Sequence, residues 1–462
     1  MNFQEITFLI EKLETFENKL RRGQLTQNEI VEAKKIERML DGYLQTSVKL
    51  KQQFGSIIDY QNLLNNGFTL PQVNDFMNED KKYVAECENK VKDNIELREH
   101  MFGYPANMTG ETSVTKYLRF LESKTYLMNG CGDPYEQGNY VMDNKEVERR
   151  IIDTVKDNLG LNEYWGYITT GGTEGNIWGI NYGLNKYKDA ILYHSTGTHY
   201  SITKANIGNH EVCTIDSTDD KINTKELLAK ILVNYQTTGK PAVLILNHGT
   251  TKMGAIDDIA IIKKFLVNHN IPHYIHVDAA LYGGIGKNQK DSPYIDFTDL
   301  DIDSISMSLH KYIGLQECKG VILAKKENID KFIDYIGQND TTICGSRDFP
   351  PFSTYQKVNE SMNRQTDDAY IKNINLFKDL LNQYGIKYWC GDERGNTFII
   401  EKPSDEICKE YQLATFKNDD GEYAHAIIFS YQDPDVIRNF VLKIYLERIQ
   451  EKGNQYVKVS TN

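Results

Sequence analysis

Four short stretches of this chain place reactive side chains where a strand ends or a helix begins. The first is Thr169-Thr170-Gly171-Gly172-Thr173-Glu174-Gly175-Asn176. It follows an apolar run and opens a helix-periodic one. Glycines let the backbone approach a ligand closely. The N–H groups of a helix start, together with threonine hydroxyls, suit a phosphate. No Gly-Lys-Ser/Thr ends the stretch, and it lacks the dinucleotide pattern of GxGxxG with a ribose acid. Taken alone, it fits a ligand-free strand–helix turn equally well. The second is His276-Val277-Asp278-Ala279-Ala280, which closes an apolar strand. A carboxylate there lies where α/β sheets bind ligands, and it could equally cap a helix. The third is Ser306-Met307-Ser308-Leu309-His310-Lys311-Tyr312. A strand-end lysine that is partly buried sheds its charge and can attack a carbonyl, although most such lysines simply reach solvent. The fourth, Thr198-His199-Tyr200-Ser201, offers an imidazole for stacking or acid–base work, or for a structural role.

The combination is more specific than any member. A phosphate-type turn, a strand-end Asp278, Lys311 33 positions later and His199 between turn and aspartate are what pyridoxal phosphate requires. Its phosphate needs a helix N-terminus. Its pyridine nitrogen needs an anion to stay protonated, its aldehyde needs an amine, and its ring needs flat partners.

These groups must be carried by regular elements. Apolar runs at 165–170, 190–195, 211–216, 241–250, 274–281, 304–309 and 320–325 alternate with helix-length stretches such as 223–236 and 257–270. Continuously apolar strands between helices predict a parallel or mostly parallel sheet covered on both faces. Residues 376–450 read as helix, strand, strand, helix, the pattern of a small α+β unit. Residues 51–145 read as irregular. Residues 1–50 read as a helical hairpin. Ile6, Ile10, Leu13 and Leu20 share a face, and Thr26-Gln27-Asn28-Glu29 has the capping-box pattern.

Composition narrows the classes. The chain has 462 residues, enough for about three folding units or one large two-domain enzyme. A hydrophobic fraction of 40% excludes a wholly disordered chain. The formal net charge of −12, with no long basic run, argues against nucleic-acid binding. No apolar run approaches the ~18 residues of a membrane span. The acids in the first residues argue against a secretory or transit signal. Seven cysteines without a CxxC pair read as reduced thiols in the cytoplasm and as neither a disulfide frame nor a metal site.

The sequence resembles the group II pyridoxal-phosphate-dependent amino acid decarboxylases, and within them the bacterial-type histidine decarboxylases and plant serine decarboxylases. The motifs that carry the resemblance are residues 165–176, 198–204, Gly249-Thr250-Thr251 with 254–259, 276–281, Ser308-Leu309-His310-Lys311 and 342–347, in that family's order. The similarity runs from Gly103-Tyr104-Pro105 to Ala424-His425-Ala426. The resemblance implies the type I aminotransferase-like α/β fold. That fold has a large, mostly parallel-sheet domain (101–345), a small α+β C-terminal domain (346–462) and an N-terminal helical segment (1–100). It implies pyridoxal 5'-phosphate joined to Lys311 as a Schiff base. Asp278 would face the ring nitrogen, His199 would stack on the ring, and Ala280 would pack on its other face. Thr170, Gly171, Gly172 and Thr173 would hold the phosphate with Ser308 and His310. Thr250 would sit near the cofactor's O3′ or the lysine, and Tyr335 would return a proton, reaching into a neighbouring subunit of a homodimer with shared sites.

The implied reaction is loss of CO2 from an L-amino acid, with histidine giving histamine as the first expectation. Serine, another amino acid that could be charged, a different type I lyase chemistry and a catalytically silent scaffold are the alternatives. Departures from the family pattern put the substrate in question. Leu309 replaces a usual Gly, Leu315 to Lys319 replace a Pro-rich stretch, and Asp348-Phe349-Pro350 replace Asn-Gly-His. Gly138 stands where Ser is common. Glu317, Lys319 and Asp348 could bring charge to the pocket, or lie on solvated loops.

Overall fold

The computed structural model describes residues 70–460 except 123–128, 141–142, 206–207, 209, 326–331, 349, 365–366 and 419, together with single positions between residues 12 and 36. Met1–Leu97 with Thr112–Val114 form one compact unit, and Arg98–Glu111 with Thr115–Asn462 form another. In the first unit the capping box is present. Thr26 N donates to Glu29 Oε2 at 2.9 Å, and Glu29 N donates to Thr26 Oγ1 at 3.4 Å. Lys12 and Lys19 pair with Glu32 and Glu29, each at 2.6 Å. Ile6, Ile10, Leu13 and Leu20 lie outside the described residues.

Residues 51–145 are not irregular throughout. They contain helices α1 (Leu70–Glu99) and α2 (Ser113–Glu122). Helix α1 is rich in charged and amide side chains. Its Tyr83, Val91, Ile95 and Leu97 are exposed.

The second unit is built on one sheet. After β1 (Asn129–Gly130) and α3 (Lys145–Leu159) come β2 (Trp165–Thr169), α4 (Gly172–Lys186), β3 (Ile191–Ser195) and β4 (Glu211–Ile215). A small hairpin, β5 (Ser217–Thr218) with β6 (Lys221–Ile222), leads to α5 (Thr224–Thr238). Then follow β7 (Ala242–Asn247), α6 (Ile259–Asn268), β8 (His273–Asp278), β9 (Ser304–Ser308) and β10 (Gly320–Ala324). The seven apolar runs supply the seven strands, in the order β2-β10-β9-β8-β7-β3-β4. Only β10 runs against its neighbours. Every residue of β2, β7, β9 and β10 is buried, which is why these strands read as continuous rather than alternating. Two apolar clusters that include Ile275, Val277 and Ile305 in one, and Tyr167, Val243 and Ile322 in the other, enclose the sheet. Fully burying each such side chain contributes about 1.5–3 kcal/mol.

Short pairings β11 (Phe332–Ile333) with β12 (Gln338–Asn339), and β13 (Arg347–Asp348) with β1, precede α7 (Phe352–Asn363) and α8 (Asp368–Gln383). The C-terminal part adds β14 (Tyr388–Trp389), β15 (Thr397–Glu401), α9 (Asp405–Glu410), β16 (Ala414–Asn418), β17 (Gly421–Ile427) and α10 (Pro434–Ser460). Its antiparallel sheet, β14-β15-β17-β16, therefore has four strands where the sequence pattern indicated two. The missed strands are a two-residue edge and the polar run ATFKN. Phe377, Phe398 and Phe440 fill the core beneath it. No helix among the described residues is long and apolar enough to cross a membrane. All seven cysteines are free thiols.

Candidate active site

Helix α4 begins at the glycine turn and lies directly on the sheet. A Cβ on Gly172 would sit 2.7 Å from Ser308 Oγ and 3.6 Å from Ala280 Cβ, so no side chain fits between turn and strand. Gly171, at φ +148°, caps the helix without a side-chain bond. A helix start leaves N–H groups without an i−4 acceptor, and this one lies beside Ser308 and His310. Glu174 turns back from this end. Its Oε2 accepts from Thr170 N at 2.8 Å and from Thr170 Oγ1 at 2.7 Å, and its Oε1 accepts from Tyr167 OH at 2.8 Å. The Thr170 hydroxyl is thus committed to Glu174, which leaves backbone N–H groups as the main donors at this end.

Lys311 follows β9 in a loop held by Asn107. Asn107 N donates to Lys311 O at 2.8 Å, and Asn107 Nδ2 donates to Tyr312 O at 2.8 Å. Leu309 is buried in the apolar core and does not line the cavity.

Lys311, Asp278, Ala280, His199 and Thr250 line one cavity of about 190 Å3. Gly103, Tyr104, Pro105, Leu281, Ala414, His425 and Ile427 form its outer wall. Phe102 O accepts from Ile427 N at 2.7 Å, which ties the 102–107 segment to the small sheet. Burial pushes the Lys311 amine below the usual lysine range, and the Asp278 charge opposes that shift. Burial also lowers the imidazoles of His199, His310 and His425. His199 Nδ1 accepts from Ser201 N at 3.2 Å, which fixes its ring at the start of the 3-10 turn Tyr200–Lys204.

Asp278 is held by two donors. Ala280 N reaches Oδ1 at 3.0 Å, and Asn176 Nδ2 reaches Oδ2 at 2.8 Å. Asn176 belongs to the glycine-turn motif, but sequence reasoning assigned it no role. Its position four residues after Gly172, on the helix face that carries the glycines, was the available signal.

The structure gives positions for the three charges that the sequence left open and for Tyr335. Glu317 is bound by Arg119 at 2.5 Å, and Lys319 lies 3.9 Å from Asp348. None of the three charges lines the cavity, because ion pairs and strand pairing hold them elsewhere. Tyr335 is 74% exposed on the turn between β11 and β12 and does not line the cavity of its own chain.

A covered parallel sheet with a helix-start glycine turn and a buried lysine beside a fixed carboxylate defines a class of α/β enzymes built around an aldehyde cofactor with a phosphate. Residues 185–353 match the pyridoxal-dependent decarboxylase conserved domain. The chain is 32% identical to histidine decarboxylase from Morganella morganii over 340 residues, 70% of this chain and 86% of that one. It is 31% identical to serine decarboxylase 1 from Oryza sativa subsp. japonica over 348 residues, covering 72% and 69%. The fold is similar to that of L-methionine decarboxylase from Streptomyces sp. 590, at TM-score 0.67 and 19% identity, with 79% of this chain and 95% of that chain aligned. The chain belongs to the pyridoxal-dependent decarboxylases and is an enzyme that uses pyridoxal phosphate to decarboxylate an amino acid. The residues present fit that group. The buried amine and the carboxylate face one cavity, and the helix-start glycine turn lies beside Ser308 and His310.

Proposed function

We propose that this enzyme converts L-histidine to histamine and CO2, with Lys311, Asp278 and His199 as the groups that touch the cofactor. The supporting observation is the cavity wall. Among the described residues it carries no carboxylate, lysine or arginine beyond Lys311 and Asp278, and its other polar side chains are those of His199, His425, Asn247, Tyr104, Thr250 and Thr251. A side chain that is uncharged or weakly basic suits such a wall, whereas an acidic one would lack a counter-charge.

Bound pyridoxal phosphate supplies the electron sink that accepts the pair released when the Cα–carboxylate bond breaks. Lys311, whose amine burial holds below the usual lysine range, would be the residue that holds the cofactor's carbonyl carbon. Asp278 would face the ring nitrogen and favour its protonated form. His199 offers a flat face, and Ala280 offers a small one opposite. The first turn of α4 with Ser308 and His310 would take the phosphate, and Thr250 would sit near the cofactor's O3′ or Lys311. Tyr335 is the proton donor of this reading. From its exposed turn it would serve the cavity of a second copy, which makes the working unit a homodimer. The free thiols suit a reducing compartment, the cytoplasm.

A second reading has serine as substrate, favoured by the similarity to the rice serine decarboxylase. A screen of the standard L-amino acids for CO2 and amine release tests both. Histamine from histidine supports the first reading. Ethanolamine from serine alone would replace it. Release of other products without CO2 would overturn decarboxylation itself.

A further inference from the structure

The geometry points to a directed hydrogen-bond chain, Tyr274–Ser304–His276–Asn176, that ends on Asp278 and holds its carboxylate ready for the cofactor's ring nitrogen. The inference rests on the reading of Asp278 given above and adds four positioning residues behind it.

The links are short and the groups are dry. Tyr274 OH lies 2.8 Å from Ser304 Oγ, which lies 2.8 Å from His276 Nδ1. His276 Nε2 lies 3.0 Å from Asn176 Oδ1. Asn176 Nδ2 reaches Asp278 Oδ2 and also Ser201 Oγ, at 2.8 and 2.9 Å. Ser306 Oγ donates to Asn176 Oδ1 as well. Tyr274, Ser304, His276, Asn176 and Ser306 are all buried to 2% exposure or less.

The charge at one end sets every proton in the chain. A carboxylate can only accept, so Asn176 must turn its NH2 toward Asp278. That places Oδ1 against His276 Nε2, which must therefore carry the ring proton. Nδ1 is then an acceptor, so Ser304 donates to it and accepts from Tyr274. The opposite tautomer would set two acceptors face to face at Nε2 and Oδ1. Flipping the amide to relieve this would aim its oxygen at the carboxylate. Bonds oriented head to tail polarise one another, and here the polarisation accumulates on the anion. Burial keeps His276 neutral, with its pKa pushed down to about 4, while Asp278 opposes that shift.

The fold is arranged to permit the chain. Tyr274, His276 and Asp278 alternate on one face of β8, and His276 and Asp278 stand opposite Ser304 and Ser306 of β9. Helix α4 covers them with a stripe of glycines. A Cβ at Gly175, Gly179 or Gly183 would collide with Ser306, His276 or Tyr274, respectively. The side chains of the relay occupy the space that ordinary helix side chains would fill.

Nitrogen-15 NMR of the histidine rings in the cofactor-free protein tests the inference directly, with the His276 signal assigned by its loss in His276→Gln. The inference predicts a neutral ring with the proton on Nε2 from pH 8 down to pH 5. A proton on Nδ1, or a charged ring above pH 6, would overturn it. Two variants then separate positioning from packing. Glutamine can accept from Ser304 and donate to Asn176, so His276→Gln should keep cofactor affinity and kcat within about 3-fold. His276→Phe fills the volume without either bond and should weaken both by about 10–100-fold, the range seen when outer partners of ligating groups are removed. Equal losses in the two variants, or a milder loss for Phe, would overturn the inference. If His276→Phe fails to fold, Ser304→Ala removes one link at little cost in volume and should shift the His276 ring signal. No shift would overturn the chain. Failure of the Asp278 reading is distinguishable, since Asp278→Ala would then leave the rate unchanged whatever the tautomer of His276.

Discussion

Asp278 Oδ2 accepts a 2.8 Å hydrogen bond from Asn176 Nδ2, across the contact between the helix that opens at the glycine turn and the strand that ends at the carboxylate. One side chain therefore couples the phosphate end of the site to its ring-nitrogen end. With the Ala280 N–H on the other oxygen, the carboxylate has two fixed donors and little rotational freedom.

Removal of that carboxylate should cost more than removal of any contact around it. Asp278→Ala should lower kcat by about 10³-fold or more, because a neutral pyridine is a poor electron sink and an ion-paired one is preorganised. Steady-state CO2 release checks this. Near-normal turnover would remove the aspartate from the chemistry.

The phosphate cradle makes a steric prediction. Gly172→Val would push a side chain against Ser308 Oγ and Ala280 Cβ. Cofactor affinity, measured by equilibrium dialysis, should fall at least tenfold while the sheet remains folded by circular dichroism. Unchanged affinity would show that the phosphate binds elsewhere.

His248 gives a pH prediction. It is fully buried between Tyr282 and Phe297, at ring distances of 5.8 and 5.6 Å, and burial pushes its pKa down to about 3. The unfolded chain binds a proton there near pH 6.5, whereas the folded chain refuses it. Stability contributed by the neutral ring is thus present above pH 6.5 and is lost as pH falls from 6.5 toward 3. Within that window the group steepens the loss by up to about 1.4 kcal/mol per pH unit. His248→Phe keeps the aromatic contacts and removes the titration, so urea unfolding at pH 4 and pH 7 should differ less than in the parent. Parallel pH profiles would contradict the account.

The large sheet was legible because its strands are buried on both faces, which turns each into an unbroken apolar run bounded by polar turns. The same reasoning failed on α1, whose described apolar side chains are exposed, and on the edge strands β14 and β16, which are too short or too polar to stand out. At the site, Lys311, Asp278 and the glycine turn announced themselves by residue type at strand ends. Asn176 and His276 did not, because their importance lies in partners about a hundred residues away in the chain. A trace was present in the period-two run of Tyr274, His276 and Asp278, facing Ser304 and Ser306. The fate of Leu309 could not be read at all. Whether a side chain beside a reactive lysine faces cavity or core depends on the local turn, and here it faces the core.

Borohydride reduction of the purified holoenzyme, followed by peptide mapping, tests the central claim most directly. The account predicts a phosphopyridoxyl group on Lys311, absent from Lys311→Ala, which should also have lost CO2 release. A label on another lysine, or a Lys311→Ala variant that still turns over, would contradict it.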